Sequence, residues 1–372
     1  MSSTPEVYLD SASSSPLHPA ARDTLLAALD RGYGDPRRLH ATGRDARLLL
    51  DNARAVVAQC LGARPDEVAF TGSGTDAVHR ALLGLTAATG RDGIVYSAVE
   101  HSAVLHAVAW RPSAAHAAVP VDARGRADLA ALAEAARRPG VGAVALQAAN
   151  QEVGTLQPVE EADVPEGVPL LVDAAAAVGH VPLPGPWDAL TASAHKWGGP
   201  AGVGVVVVRR GTRWTNPFPG DDGLEAMGGF PDVPGALAAA AALQAVLDER
   251  DEVAARQFAL IDRIRSAAGA LPDTEVVGDP VARLPHLVTF SCLYVGGDEI
   301  VAALSRRGYG VASGSACTAS SLEPSHVLAA MGALTHGNVR VSVGRDTTAE
   351  EVEGFCAALA EEVHRIRREA GL

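Results

Sequence analysis

Between about residues 44 and 208, stretches of helical period alternate with short apolar runs bounded by glycine and small polar residues. The runs are VAF at 68–70, GIVYS at 93–97, GAVALQA at 142–148, PLLVD at 169–173 and GVGVVVV at 202–208. Short runs that are apolar throughout predict strands buried on both faces, as in a mostly parallel sheet flanked by helices. In such a sheet, ligand-facing groups gather beyond the carboxyl ends of the strands. That edge collects residues 71–76 (TGSGTD), Glu100 and His101, Asn150 and Gln151, Asp173, and residues 193–196 (SAHK). An alanine-rich helix is predicted at about 234–268, followed by a strand within LPHLVTFSCLYV (284–295), a glycine turn, a helix and a strand near 339–343. The change of pattern predicts two units: a large one at 14–247 and a smaller C-terminal α/β one at 248–372, with residues 1–13 packed near the latter.

Hydrophobic residues are 48% and charged residues 20% of the 372, the balance of a folded soluble protein. A formal charge of −13, with no lysine- or arginine-rich block, argues against direct nucleic-acid binding and against an anionic lipid surface. The first ten residues lack the pattern of a signal peptide, and no apolar run reaches membrane-spanning length, so a cytoplasmic protein is expected. The cysteines, at 60, 292, 317 and 356, form no CxxC pair and encourage neither a disulfide framework nor a zinc site. Cys60 and Cys356 fall in helical patterns and Cys292 in a strand, where a buried inert thiol is expected.

Lysine and arginine total 31, yet Lys196 is the only lysine. Guanidinium stays protonated, whereas a desolvated ammonium can lose its proton and form an imine; arginine therefore cannot replace lysine in that chemistry. Asp173 ends an apolar strand, where an ionised carboxylate needs a cation. The TGSGT segment, between a strand and a helix, suits a phosphate at a helix N-terminus, although small polar residues also serve as ordinary caps there.

The segment VASGSACTASSLEPSHVL at 311–328 closely resembles the active-site loop of the nitrogenase-type and iron–sulfur-type cysteine desulfurases. These belong to the class V aminotransferases and to the fold-type I group of pyridoxal phosphate (PLP) enzymes. Further blocks follow in family order: YLDSASSSP at 8–16, GDP at 34–36, EHSAVL at 100–105, NQEVG at 150–154, VDAAAAVG at 172–179, SAHKWGGP at 193–200 and RVSVGR at 340–345. The resemblance implies an α/β fold with a mostly parallel seven-stranded sheet, and conversion of L-cysteine to L-alanine with sulfur held on Cys317 as a persulfide. It implies that Lys196 holds PLP, Asp173 meets the ring nitrogen, His101 stacks on the ring, and Asn150 lies near the ring hydroxyl and the substrate. Gly74, Thr75, Ser193 and His195 fall at the phosphate and Arg340 at the substrate carboxylate. A homodimer and a sulfur-acceptor protein are the implied partners. A protonated His101 is one cation expected to favour the Cys317 thiolate.

The family pattern is not kept everywhere. Ala176 stands where the family has a glutamine, removing a hydrogen bond to the cofactor's ring hydroxyl; a glutamine restored there is expected to tighten the cofactor or shift its absorption. Val78 and His79 replace a polar pair, and Gly229 replaces a threonine that reaches a partner subunit's phosphate. Other PLP reactions on the same scaffold, such as selenocysteine or cystine lysis or transamination, and a non-catalytic binding subunit, stay open as alternatives.

Overall fold

The computed structural model describes residues 6–31, 33–220, 223–224, 229–313 and 324–371. In chain order the first elements are β1 (Val7–Tyr8), α1 (Pro19–Arg31), α2 (Ala41–Cys60), β2 (Val68–Thr71), α3 (Gly74–Thr89), β3 (Gly93–Ser97) and α4 (Ser102–Trp110). Then come β4 (Ala117–Val119), α5 (Leu129–Ala136), β5 (Val141–Gln147), β6 (Leu170–Asp173), β7 (Ala189–Ser193) and β8 (Gly204–Val208). The last are α6 (Val233–Gly269), β9 (Thr274–Val277), β10 (Leu287–Cys292), α7 (Gly297–Arg306), β11 (Tyr309–Gly310), α8 (His326–Met331), β12 (Asn338–Ser342) and α9 (Ala349–Glu369).

Seven strands form one sheet in the order β2-β8-β7-β6-β5-β3-β4. All neighbours run parallel except β8, which is antiparallel to both β2 and β7. The apolar run at 202–208 predicts a strand without giving its direction. The short connection through residues 194–203 carries no crossover helix and so returns the chain antiparallel. Successive strand residues serve opposite faces: Val144, Leu146, Val205 and Val207 pack under α2, α5 and α6, while Ala143, Ala145, Val206 and Val208 pack under α3 and α4. Both faces are covered, which is why these strands are apolar throughout.

A separate apolar cluster joins Leu9, the distal part of α6 (Leu260, Ile261, Ile264), β10, β12 and the inward stripe of α9 (Val352, Phe355, Leu359, Val363). Helix α6 thus serves two cores, because Val233 to Leu243 are buried against the large sheet. Asp232 caps it, accepting from the Gly235 N–H at 2.9 Å. The N-terminal segment docks on the second cluster: β1 pairs with β11, and the Ser342 N–H donates to the Leu9 carbonyl at 2.8 Å. Among the described residues no helix is long and apolar enough to cross a membrane.

Candidate active site

Strands β5, β6 and β7 end together, and their carboxyl ends carry the polar groups that interrupt the apolar layers. Asp173, the last residue of β6, is 7% exposed. Its Oδ1 accepts from the Ala175 N–H at 3.1 Å and the Thr191 hydroxyl at 3.3 Å. Burial pushes its carboxyl above the usual range; His101, these hydrogen bonds and Lys196 act in the opposite direction. His101 caps α4, its Nδ1 accepting the Ala103 N–H at 3.1 Å. That bond leaves the ring proton on Nε2, and burial, reinforced by Lys196, holds the imidazole below its ordinary value despite Asp173. His101 is therefore a neutral ring here. The expectation of a protonated His101 is corrected, because desolvation outweighs the field of Asp173.

Lys196 closes the 3-10 turn that follows β7. Its ammonium donates to the carbonyls of Ala12, at 2.5 Å, and Ser13, at 3.0 Å, while the Ser15 hydroxyl donates to the Lys196 carbonyl at 2.7 Å. Residues 12–15 thus wrap the lysine. His195 beside it is held near 4 by burial and by the Lys196 charge. Beneath His101 lies Glu100, wholly buried, with Oε1 accepting from the Gln147 N–H at 2.8 Å and Oε2 unpartnered. Burial pushes Glu100 up to about 8, which keeps it a neutral acid at neutral pH.

Gly74 opens α3 behind the cap Ser73, which accepts from the Asp76 N–H at 3.0 Å, and Thr75 follows on the exposed side. A Cβ on Gly74 would lie 2.7 Å from the Ser193 Cβ and 3.0 Å from its hydroxyl, so only glycine keeps this helix N-terminus open beside Ser193. Asn150 is buried: its Oδ1 accepts from Glu152 and Val153 N–H, each at 2.9 Å, and its Nδ2 donates to the Val99 carbonyl at 3.0 Å. Its side chain is thereby fixed in one orientation.

Arg340, on β12, is 4% exposed. It donates to the Gln151 carbonyl at 2.9 Å, to Asp10 Oδ1 at 3.0 Å and to the Ser13 hydroxyl at 2.5 Å. The structure thus brings His101, Asp173 and Lys196 within one another's electrostatic field, sets Gly74 against Ser193, and ties Arg340 to the backbone next to Asn150. Cys317, with the rest of residues 314–323, lies outside the described residues. Val78 faces the apolar layer under α3, so its loss of polarity serves packing.

The aminotransferase class-V profile matches residues 7–355. An "IscS-like cysteine desulfurase" of Mycobacterium tuberculosis is 37% identical, over 98% of this chain and 98% of that protein. The chain belongs to the cysteine desulfurases of the class-V aminotransferase family. A "Cysteine desulfurase" of Cereibacter sphaeroides is 36% identical over 97% of this chain and 96% of its own length. Among solved structures, a "NifS-like protein" superposes with a TM-score of 0.88 at 28% identity, covering 97% of this chain and 100% of that one.

Within this desulfurase, sequence reasoning missed two groups. Asp10 and Ser13 stand in the YLDSASSSP block, but nothing local signals that they meet a residue more than 300 positions away. His180 and His286 stack with ring centroids 3.8 Å apart and planes inclined by 22°, and the His180 Nε2 lies 3.2 Å from the Lys196 carbonyl. A family block ending at Gly179 stops one residue short of the first of them.

Proposed function

We propose that the chain is a PLP-dependent cysteine desulfurase that converts L-cysteine to L-alanine and receives the sulfur on Cys317 as a persulfide. The observation that carries this reading is that the only lysine stands at the same strand edge as a buried aspartate and a neutral, backbone-locked histidine. The donor set fits PLP. Asp173 is buried, and a protonated ring nitrogen would supply the cation that offsets the burial raising its carboxyl; the glycine-kept opening at α3, with Thr75, Ser193 and His195, suits a phosphate. When bound, PLP supplies an electron sink conjugated to the substrate α-carbon.

Lys196 would hold the cofactor through its side-chain amine. Asp173 would keep the ring nitrogen charged. His101 would lie against the ring, and Asn150 would support the ring oxygen and the substrate. Arg340 receives the substrate carboxylate, aided by the order that Asp10 and Ser13 impose on it. Cys317 attacks the substrate sulfur, so that the Cβ–S bond breaks and an S–S bond forms. Of the two thiol protons, one ends on the alanine methyl and the other on the persulfide, while the α-proton returns to carbon. Burial pushes the Cys60 thiol to about 11 and raises those of Cys292 and Cys356, making all three poor nucleophiles near neutral pH. The finer parts of the proposal are a homodimer, a large unit at 14–247 and a small one at 248–372 with 1–13, a sulfur-acceptor protein and a cytoplasmic setting.

Borohydride reduction of the yellow protein is expected to fix PLP on the Lys196 peptide, and Cys317→Ser to bind PLP and cysteine while alanine production falls near background. Label found elsewhere, or persulfide mapped to Cys60, Cys292 or Cys356, overturns the proposal.

A further inference from the structure

Ala176, where the family pattern has a glutamine, lines a cavity of about 10 Å³ together with Ser11, Gln151, His180, Lys196 and His286. That volume holds about one water molecule and leaves no room for a carboxamide without displacing a neighbour. The space a longer side chain would take is filled by two imidazoles.

His286 is 3% exposed, and its Nδ1 is buried without a hydrogen-bond partner in the protein. A buried ring nitrogen left unpaired is costly, and such a group in a ligand-facing cavity points to a partner that the protein itself does not provide. His180 is fixed from the other side. The Lys196 carbonyl only accepts, so the His180 Nε2 carries the ring proton, and the ring stacks on His286. Burial holds His180 near 4 and His286 well below its ordinary value, with Lys196 and, for His286, Arg340 adding to the effect. Both rings are neutral near neutral pH. Each therefore has one N–H donor and one lone pair, so that, like a carboxamide, it can donate with one atom and accept with another.

We propose that the His180–His286 pair takes over the hydrogen bonding that a glutamine at position 176 supplies in the family pattern, with His286 serving the cofactor's ring oxygen beside Lys196 and His180 holding His286 in place. This rests on the PLP reading above and deepens it. Ala176 and the two histidines are then one exchange: the small residue makes room for the rings, and the rings replace the lost amide. A glutamine introduced alone meets the imidazoles and overpacks the site, which reverses the expectation drawn from position 176 in isolation.

The test is the equilibrium dissociation constant for PLP, read from the visible absorption of the full chain, together with the denaturation midpoint of each PLP-free protein. Loss of one buried hydrogen bond in His286→Leu, which removes both ring nitrogens, is expected to weaken PLP roughly tenfold. Ala176→Gln alone is expected to bind no more tightly than the parent. The double variant, with glutamine and without the imidazole, is expected to recover to within roughly threefold of the parent, a coupling that independent sites would not show. His286→Gln, which keeps a donor, is expected to stay close to the parent even if His286→Leu folds poorly. A purely structural role would lower the PLP-free midpoint and the affinity in parallel, with no rescue by glutamine. The proposal is overturned if His286→Leu binds PLP like the parent, or if Ala176→Gln tightens binding equally with and without His286. A parent chain that fails to bind PLP overturns the proposed function instead.

Discussion

The groups around Lys196 and those around Arg340 are both buried and polar, but their partners come from different distances along the chain. Asp173 is held by Ala175 and Thr191, two and 18 positions away, and His101 by Ala103. Arg340 is held by Asp10 and Ser13, 330 and 327 positions away, and by Gln151. The first set is in place once neighbouring strands pair. The second exists only after the N-terminal segment has crossed from β11 and β12 to the large sheet, where residues 12–15 also bind Lys196. On the proposed function, the chemistry belongs to a locally organised strand edge and substrate positioning to a long-range seam that mutation can open separately.

The largest test of this division is Lys196→Ala. Loss of the cofactor anchor is expected to lower desulfuration by at least the roughly 10²–10⁴-fold that a positioned proton-transfer group supplies, with the fold retained by circular dichroism. Collapse of the fold would show that the strand edge also depends on Lys196 for stability. Arg340→Ala should act the other way, costing about 3 kcal/mol in denaturant titration because it leaves Asp10 and Ser13 without their buried partner. A loss below about 1 kcal/mol would reduce the seam to the worth of a surface pair. Gly74→Ala is expected to cost about 1–3 kcal/mol through contact with Ser193, and Ser193→Gly in the same chain should relieve most of it. Additive losses in the double variant would mean that the helix N-terminus, not Ser193, yields.

The smallest expected effect is in the pH dependence of stability, where two buried groups pull in opposite directions. His180 titrates near 4 in the folded chain and near 6.5 unfolded, so in that interval the unfolded chain binds the extra proton. Its contribution is full above about 6.5 and is lost as pH falls toward 4; His195 and His286 have the same sign. Glu100, raised to about 8, keeps a proton that the unfolded chain loses near 4.5, so its contribution is full below 4.5 and is lost as pH rises through 8. Glu100→Gln, neutral throughout, should flatten the alkaline loss and leave the acid loss intact in denaturation midpoints measured across this range. An unchanged alkaline limb would show that Glu100 is ionised in the folded protein.

Much of the fold was legible because its signals are local. Short apolar runs gave β2, β3, β5, β6 and β8, and the alanine-rich helix expected at about 234–268 is Val233–Gly269. The brief β4 escaped notice, as did β7, whose ALTAS sequence mixes polar and small residues although every one of them is buried. Direction also escaped, since an apolar strand reads the same in a parallel or an antiparallel pair.

By itself the sequence singled out the residues to which the proposed function assigns chemistry: a single lysine among arginines, an aspartate ending an apolar strand, glycines where a helix begins, and the ordered blocks shared with the cysteine desulfurases. These are properties of residue type and near-neighbour spacing, which a linear reading preserves. Only the tertiary structure decided the states and partners of those residues. Burial, a property of the assembled layers, makes His101 neutral and Glu100 protonated. Contacts between residues more than a hundred positions apart put Asp10 on Arg340 and His286 on His180. No local pattern encodes such meetings, because they are fixed by how two cores and one N-terminal segment close on the same strand edge.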